Sequence, residues 1–326
     1  MHLLCAVNFF GIVSGMISVY KKTLRDEQVQ TLPLSKAGKG VWVHVTDPTD
    51  DELSRLESEL HLEHGHLTDA LDPHETPRLE VEGKDVYIFL RFPYFDREDT
   101  IATAPVLFVI TSEMVVTVVK EGERYIFEDF IKGKVEFYTT QRARFLVYLF
   151  LKINLLYQQT VGTINKRLRV KRDELLGQMA EADLVTFVQW EDTLNDFITA
   201  LVPASAIYKS LLSKHHIKFF EEDEDLVEDL LLSNDEAVDV CKTNIRTIIN
   251  VREAYSAIAT SSLNRTMKFL TAVTIVLAVP TLIASIYGMN VPLPFESVSH
   301  SFTIVMAIIV ISIAITMWVF TKKKWF

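Results

Sequence analysis

Two uncharged apolar runs, residues 269–287 and 302–320, lie close together near the C-terminus. Each supplies about the 20 residues that a helix rising about 1.5 Å per residue needs to cross a bilayer core. The segment between them, 291–301, is too short for a folded domain, so the runs predict a tight membrane hairpin. Tyr287-Gly288-Met289-Asn290 falls where the first helix leaves the membrane, an unusual place for polar residues.

Charge sets the orientation and the class of partner. The chain carries 43 acidic against 33 basic side chains, a net charge of −10. The membrane runs are uncharged, so the acid lies in the soluble part, where it repels nucleic acid and favours a cationic ligand. Arg265 and Lys268 precede the first run and three lysines follow the second, whereas the loop has neither Lys nor Arg. The positive-inside rule then puts both termini in the cytoplasm of a cell-membrane protein. Cys5 and Cys241 are far apart and form no CxxC, which indicates neither a disulfide scaffold nor a zinc site. The chain shows no phosphate loop, nucleophile elbow or HExxH, so an enzyme is not expected.

Within the first run, Asn264, Met267, Leu270 or Thr271, Thr274, Ala278, Thr281, Ser285 and Gly288 recur at three-to-four spacing. The opposite surface carries Phe269, Ile275, Val276, Leu282, Ile283 and Ile286. A small, hydroxylated stripe in lipid reads as a helix-packing surface or a pore wall. Pro280 removes one backbone hydrogen bond from this helix.

The tetrad at the end of the first of two C-terminal membrane helices resembles the CorA family of divalent-cation channels. The large acidic segment before it and the tail Lys322-Lys323-Lys324-Trp325-Phe326 fit as well. So does Asp69-Ala70-Leu71-Asp72-Pro73-His74-Glu75-Thr76-Pro77-Arg78-Leu79-Glu80, which is similar to the family's cytoplasmic signature. The resemblance runs from Met16 nearly to the end. It implies a membrane-embedded homo-oligomer, a homopentamer, that passes Mg2+ and similarly hydrated Co2+ or Ni2+. The stripe becomes a pore wall, Gly288, Met289 and Asn290 a selectivity filter, and Met267 and Leu270 an apolar gate. Cytoplasmic Mg2+ is expected to close the channel by bridging Asp96 to Asp229 of a neighbouring subunit, with Glu228 and Asp225 as register alternatives. The sequence departs from the pattern after the tetrad. Many members continue Met-Pro-Glu-Leu, whereas here Val291-Pro292-Leu293-Pro294-Phe295-Glu296 follows and only Glu296 offers an outer negative ring. The rivals are a zinc transporter of the related branch, which usually has Ile in place of Met289, and a membrane-tethered cation sensor without transport.

The absence of acids from both runs bears on mechanism. Mg2+ keeps its water shell tenaciously, and a pore that stripped it would need charged ligands. Neutral oxygens of Asn290 and Gly288 can instead bond the waters. Neither Cys nor His lines the stripe, so softer ions find no preferred ligand.

Taken in order, residues 1–15 form an extension without Lys or Arg, unlike a secretory signal. Met16 would be an alternative start, with Met16-Ile17-Ser18-Val19-Tyr20 as a first strand. Strands are expected at 41–45, 85–95, 105–111 and 115–120, and a helix capped near Asp47-Pro48-Thr49-Asp50 through Leu60. His61, His64, His66 and His74 match no zinc signature and read as surface or interface residues; His215-His216 reads as a turn. Helices are expected at 142–179 and 182–212, and the acidic run 221–229 as a solvated loop and helix start. A single helix from about 234 through the membrane to 288, roughly 80 Å, would then form a stalk. The expected chain is therefore an α+β membrane protein: a cytoplasmic α/β domain, a long helical stalk and two C-terminal transmembrane helices. Its boundaries are an α/β subdomain at 16–121, a helical subdomain at 122–233, stalk and first membrane helix at 234–290, loop at 291–301, second membrane helix at 302–320 and basic tail at 321–326.

Overall fold

The computed structural model describes residues 16–95, 100–120, 124–174, 181–213, 216–292, 294 and 300–325. The chain divides into two compact units, Met1–Ile249 and Asn250–Phe326. The first unit begins with strands β1 (Met16–Lys21), β2 (Gln30–Leu32) and β3 (Trp42–Thr46), then helices α1 (Asp50–Leu60) and α2 (His64–Asp69). Strands β4 (Arg78–Glu82), β5 (Asp85–Phe95), β6 (Ile101–Ile110) and β7 (Val115–Val119) complete one seven-stranded sheet, ordered β2-β1-β3-β7-β6-β5-β4. Neighbours run antiparallel except β3 and β7, which are parallel. Helices α3 (Glu128–Ile131), α4 (Arg142–Glu174), α5 (Glu181–Leu212), α6 (Glu221–Tyr287) and α7 (Ser301–Lys322) follow.

The period of two along β3 explains why both sheet faces are covered. Val43 and Val45 point to one side, where they join Val116, Val118, Leu107 and Phe89 beneath Leu53 and Leu56 of α1 and Leu67 of α2. Helix α1 starts where the sequence places its cap: the Thr49 side chain accepts from the Glu52 N–H and Glu52 reaches back, a capping box.

Trp42 and His44 point to the other side, into an aromatic core. The Trp42 ring lies 5.3 Å from Phe145 of α4, 6.1 Å from Phe127 and 6.4 Å from Phe137, all near edge-on. Phe108 of β6 meets Phe150 of α4 at 4.9 Å. These rings belong to both the strand-rich and the helical parts of the sequence. The strand-rich and helical parts therefore share one core, and both lie in the first unit. The sharing also places polar groups at depth. Trp42 Nε1 donates to Thr117 Oγ1 at 2.9 Å, and His44 Nδ1 lies 2.8 Å from the same oxygen. Burial pushes the His44 imidazole down to about 4.

Helix α6 begins at Glu221 rather than near Asn234, so the acidic run is helix and not loop. Two causes act together. Glu221, Glu222, Asp223 and Glu224 sit in the first turn, where negative charge is favoured. Arg144 of α4 donates to Glu222 at 2.7 Å and to buried Asp223 at 2.5 Å, and these two carboxylates raise the pKa of the Arg144 guanidinium. From there Val227, Leu230, Asn234, Ala237, Val238, Cys241, Asn244 and Ile248 form one buried stripe. Asn234 and Asn244 interrupt its apolar pattern in the sequence, and Asn234 is buried through bonds to Leu201 O (2.9 Å) and Ser205 Oγ (2.7 Å) of α5. Cys241 lies among them, its thiol pushed up to about 12 by burial and therefore inert.

Candidate functional site: the membrane part of α6 and its C-terminal end

In the second unit the last part of α6 and all of α7 are long and apolar enough to cross a membrane. Both carry a shielded face at helical spacing. On α6 it comprises Ala272, Val273, Val276, Val279, Pro280, Ile283 and Tyr287. On α7 it comprises Ile304, Val305, Ile309, Ser312, Ile313, Thr316 and Phe320. Lys322 lies 5.0 Å over the Trp318 ring, and Phe320 stacks on Trp325 at 5.2 Å, a pairing of basic and aromatic groups suited to a membrane interface.

The predicted stripe lies on the other side of α6. Asn264, Met267, Leu270, Thr274, Ala278, Thr281, Ser285 and Gly288 are all exposed, as is Thr271. Met267 and Leu270 are 55% and 58% exposed. The bulky surface predicted opposite it divides: Val276 and Ile283 are half-buried, whereas Phe269, Ile275, Leu282 and Ile286 remain exposed.

The hydroxyls of the stripe have a common orientation. Thr271 donates to Met267 O at 2.8 Å, Thr274 to Leu270 O at 2.9 Å and Thr281 to Leu277 O at 2.8 Å. Each proton is spent on the preceding helical turn, so what the oxygen offers outward is acceptor capacity. The exposed line is thus uncharged and rich in acceptors.

At the end of the helix the Gly288 N–H donates to Ala284 O at 3.0 Å and Met289 N–H to Ile286 O at 3.2 Å. The last turn closes on itself through backbone, and Asn290 is exposed. Among the described residues no side-chain hydrogen bond ties Asn290 to the helix, so its amide is not spent as a C-terminal cap. A Cβ at Gly288 would meet only the Ala284 and Ser285 carbonyls, at 3.4 and 3.6 Å. Among the described residues nothing excludes a larger residue there.

The structure divides the acids of the run 221–229 into two sets. Glu222 and Asp223 hold Arg144 and are structural. Asp225, Glu228 and Asp229 are exposed on the following turns of α6. Asp96 lies outside the described residues, immediately after the end of β5, and so does Glu296. Residues 1–15 and His215 also lie outside them. Sequence reasoning did not distinguish Asp223 from its neighbours; the only signal available was Arg144, far away in the chain.

Residues 37–324 match the family described as CorA-like Mg2+ transporter protein. The chain belongs to the CorA family. Its relatives include the cobalt/magnesium transport protein CorA of Methanocaldococcus jannaschii, 27% identical over 291 residues, 87% of this chain and 91% of that one. The complete structure of the CorA magnesium transporter from the same organism superimposes with a TM-score of 0.82 at 22% identity, covering 97% of this chain and 100% of the other. The full-length CmaX protein superimposes at 0.74 and 19% identity, with 97% and 100% covered. These likenesses establish an α/β domain followed by a long helix and two C-terminal apolar helices as the fold of a CorA protein, a membrane transporter family and not an enzyme.

Proposed function

We propose that the chain is a passive channel for divalent cations, Mg2+ first and the similarly hydrated Co2+ and Ni2+ after it. It would be built in the cell membrane as a homopentamer with both termini in the cytoplasm. The observation that carries this reading is the exposed, uncharged, acceptor-rich stripe of α6 that ends at Gly288-Met289-Asn290. Waters bound to a dication donate hydrogen bonds outward, and a line of neutral acceptors meets them without stripping the shell. The curated relative named for cobalt and magnesium transport supports the choice of cargo.

Within this reading Gly288, Met289 and Asn290 form the filter. Asn290 keeps its amide free for the hydrated ion. Gly288 would lack a side chain because neighbouring copies approach there, since among the described residues of one copy there is room for a Cβ. Met267 and Leu270 form an apolar ring that closes by dewetting, and Glu296 supplies negative charge at the outer mouth. Asn264, Thr274, Ala278 and Thr281 line the path between.

Regulation follows from the acids. Asp229, or Glu228 or Asp225 in an alternative register, would face Asp96 of a neighbouring copy. Carboxylates brought together repel, and a bound Mg2+ offsets that repulsion and favours a closed state. The ion shifts the equilibrium only by its preference for closed over open. α6 carries both Asp229 and the stripe, so it is the element through which loss of Mg2+ reaches the gate.

The test is Mg2+ flux into liposomes holding the purified protein, at several internal Mg2+ levels, with Zn2+ as competitor. Mg2+ influx that slows as internal Mg2+ rises is expected. No influx would make the chain a tethered sensor, and strong preference for Zn2+ would make it a zinc transporter. A double substitution, Asp96→Lys with Asp229→Lys, should abolish the internal Mg2+ dependence of flux and of protease protection. Unchanged dependence in both assays removes these residues from the sensor.

A further inference from the structure

We propose that His66, Glu80 and Glu82 form a binding site for a borderline divalent cation, Zn2+, Co2+ or Ni2+, that clips α2 to the outermost strand of the sheet. The site is separate from the transport path, and the argument for it stands whether or not the channel reading holds.

From sequence His66 reads as a surface or interface residue. It is instead only 8% exposed, and its Nε2 is shielded from solvent with no hydrogen-bond partner among the described residues. Its ring lies on Tyr87 at 4.5 Å and meets Phe89 at 6.0 Å, contacts that fix its direction. A buried imidazole nitrogen lacking a partner is costly, and ordinarily something fills the gap. Here Nε2 points at two carboxylates: Glu80 Oε2 at 3.6 Å and Glu82 Oε1 at 3.9 Å. Both distances are too long for hydrogen bonds.

The strand geometry makes the pair of carboxylates possible. Glu80 and Glu82 are two residues apart on β4, so they project from one face, opposite Tyr87 and Asp85 of β5. The other oxygen of Glu80 accepts from Arg78 Nε. Arg78 is itself held by Asp69 at 2.7 Å and lies 3.9 Å over the Phe89 ring. That chain of contacts orients Glu80 from behind, leaving Oε2 toward His66, as outer-shell groups orient metal ligands. Glu82 is half open to solvent and provides a way in.

The three ligand atoms lie within 4.8 Å of one another. Metal bonds of about 2.0–2.2 Å at tetrahedral angles set ligand atoms roughly 3.3 Å apart. His66 Nε2 is already 3.6 and 3.9 Å from the two carboxylates, and rotation of the Glu80 and Glu82 side chains draws the set together. One imidazole nitrogen with two carboxylates suits Zn2+, Co2+ or Ni2+, with water completing the shell, whereas Mg2+ and Ca2+ take oxygen alone. Two negative charges balance the dication. The competing occupant is a proton: a charged His66 would bridge the same carboxylates without any metal.

Zinc chloride and cobalt chloride titrations of the chelator-treated full-length protein distinguish the two, in excess Mg2+ so that Mg2+-selective sites are filled. The expected result is Co2+ binding with a visible ligand-field band that Zn2+ displaces. His66→Ala and Glu82→Gln should each weaken Zn2+ affinity by at least about tenfold. Glu82 is exposed, so its variant should fold and can be checked by circular dichroism. Equal Zn2+ affinity in wild type and the folded Glu82→Gln variant, or no Zn2+ binding under these conditions, overturns the site and leaves the proton bridge.

Discussion

The aromatic face of the sheet and the hydroxylated stripe of α6 use side chains in opposite ways. Around Trp42 every ring finds its partner within the same chain, from β3, β6 and α4, and the polar groups that go in are paired. Along 264–288 the stripe is left open, its threonine hydroxyl protons turned back onto the helix and its glycine unconstrained by the described residues. The first region is completed by folding alone. The second is left exposed by folding, and in the proposed channel lipid and further copies of the chain would cover it. Stability should therefore report on the first region and transport on the second, and each prediction below tries to break that division.

The largest stability effect is expected in the aromatic core. Phe145→Ala removes a ring that is 1% exposed and packed on Trp42 and Phe137, and should cost about 3–5 kcal/mol in denaturant unfolding of the detergent-solubilised protein. Leu277→Ala, at a position 65% exposed, should stay within about 0.5 kcal/mol in the same assay. Comparable losses at both sites would erase the distinction.

Next comes acid sensitivity. His44 is held near 4 in the folded chain against about 6.5 when unfolded, so the unfolded state binds the extra proton between those values. Its full contribution to stability is present above about pH 6.5 and is lost progressively down to about pH 4, up to about 3 kcal/mol. Unfolding curves across that window should be flatter for His44→Gln than for the wild type. An unchanged slope would mean that another group carries the effect.

Smaller still is the contrast between two acids on one helix. Asp223→Ala takes a buried carboxylate from Arg144 and should cost about 1–3 kcal/mol of stability. Asp229→Ala, at an exposed position, should leave stability within about 0.5 kcal/mol while altering the response of flux to internal Mg2+. A reversal of the two phenotypes would exchange their roles.

Much of this was legible in the chain because the signals were local. The capping residues before α1, the alternation in β3 and the two uncharged runs each depend on neighbours in sequence, and each appears as expected. The stripe from Asn264 to Gly288 was legible for the same reason, since helical periodicity alone puts those residues on one face. What could not be read depended on distant partners. The start of α6 at Glu221 needs Arg144, and the burial of Asn234 needs Leu201 O and Ser205 of α5. His66 reads as a surface or interface residue because the spacing of the histidines around it matches no zinc signature. Its burial comes from Tyr87 and Phe89, and the acids facing it come from a strand that the hydrophobic pattern did not announce.

The central claim is that the end of α6 selects a hydrated dication through neutral oxygens, with Asn290 the residue whose amide is kept free for it. Mg2+ influx into liposomes with Co2+, Ni2+ and Na+ as competitors, compared between wild type and Asn290→Ala at matched oligomer content, tests it directly. The account predicts that the variant assembles normally and either loses Mg2+ influx or no longer discriminates against Na+. Wild-type influx with wild-type selectivity in the assembled variant would contradict it.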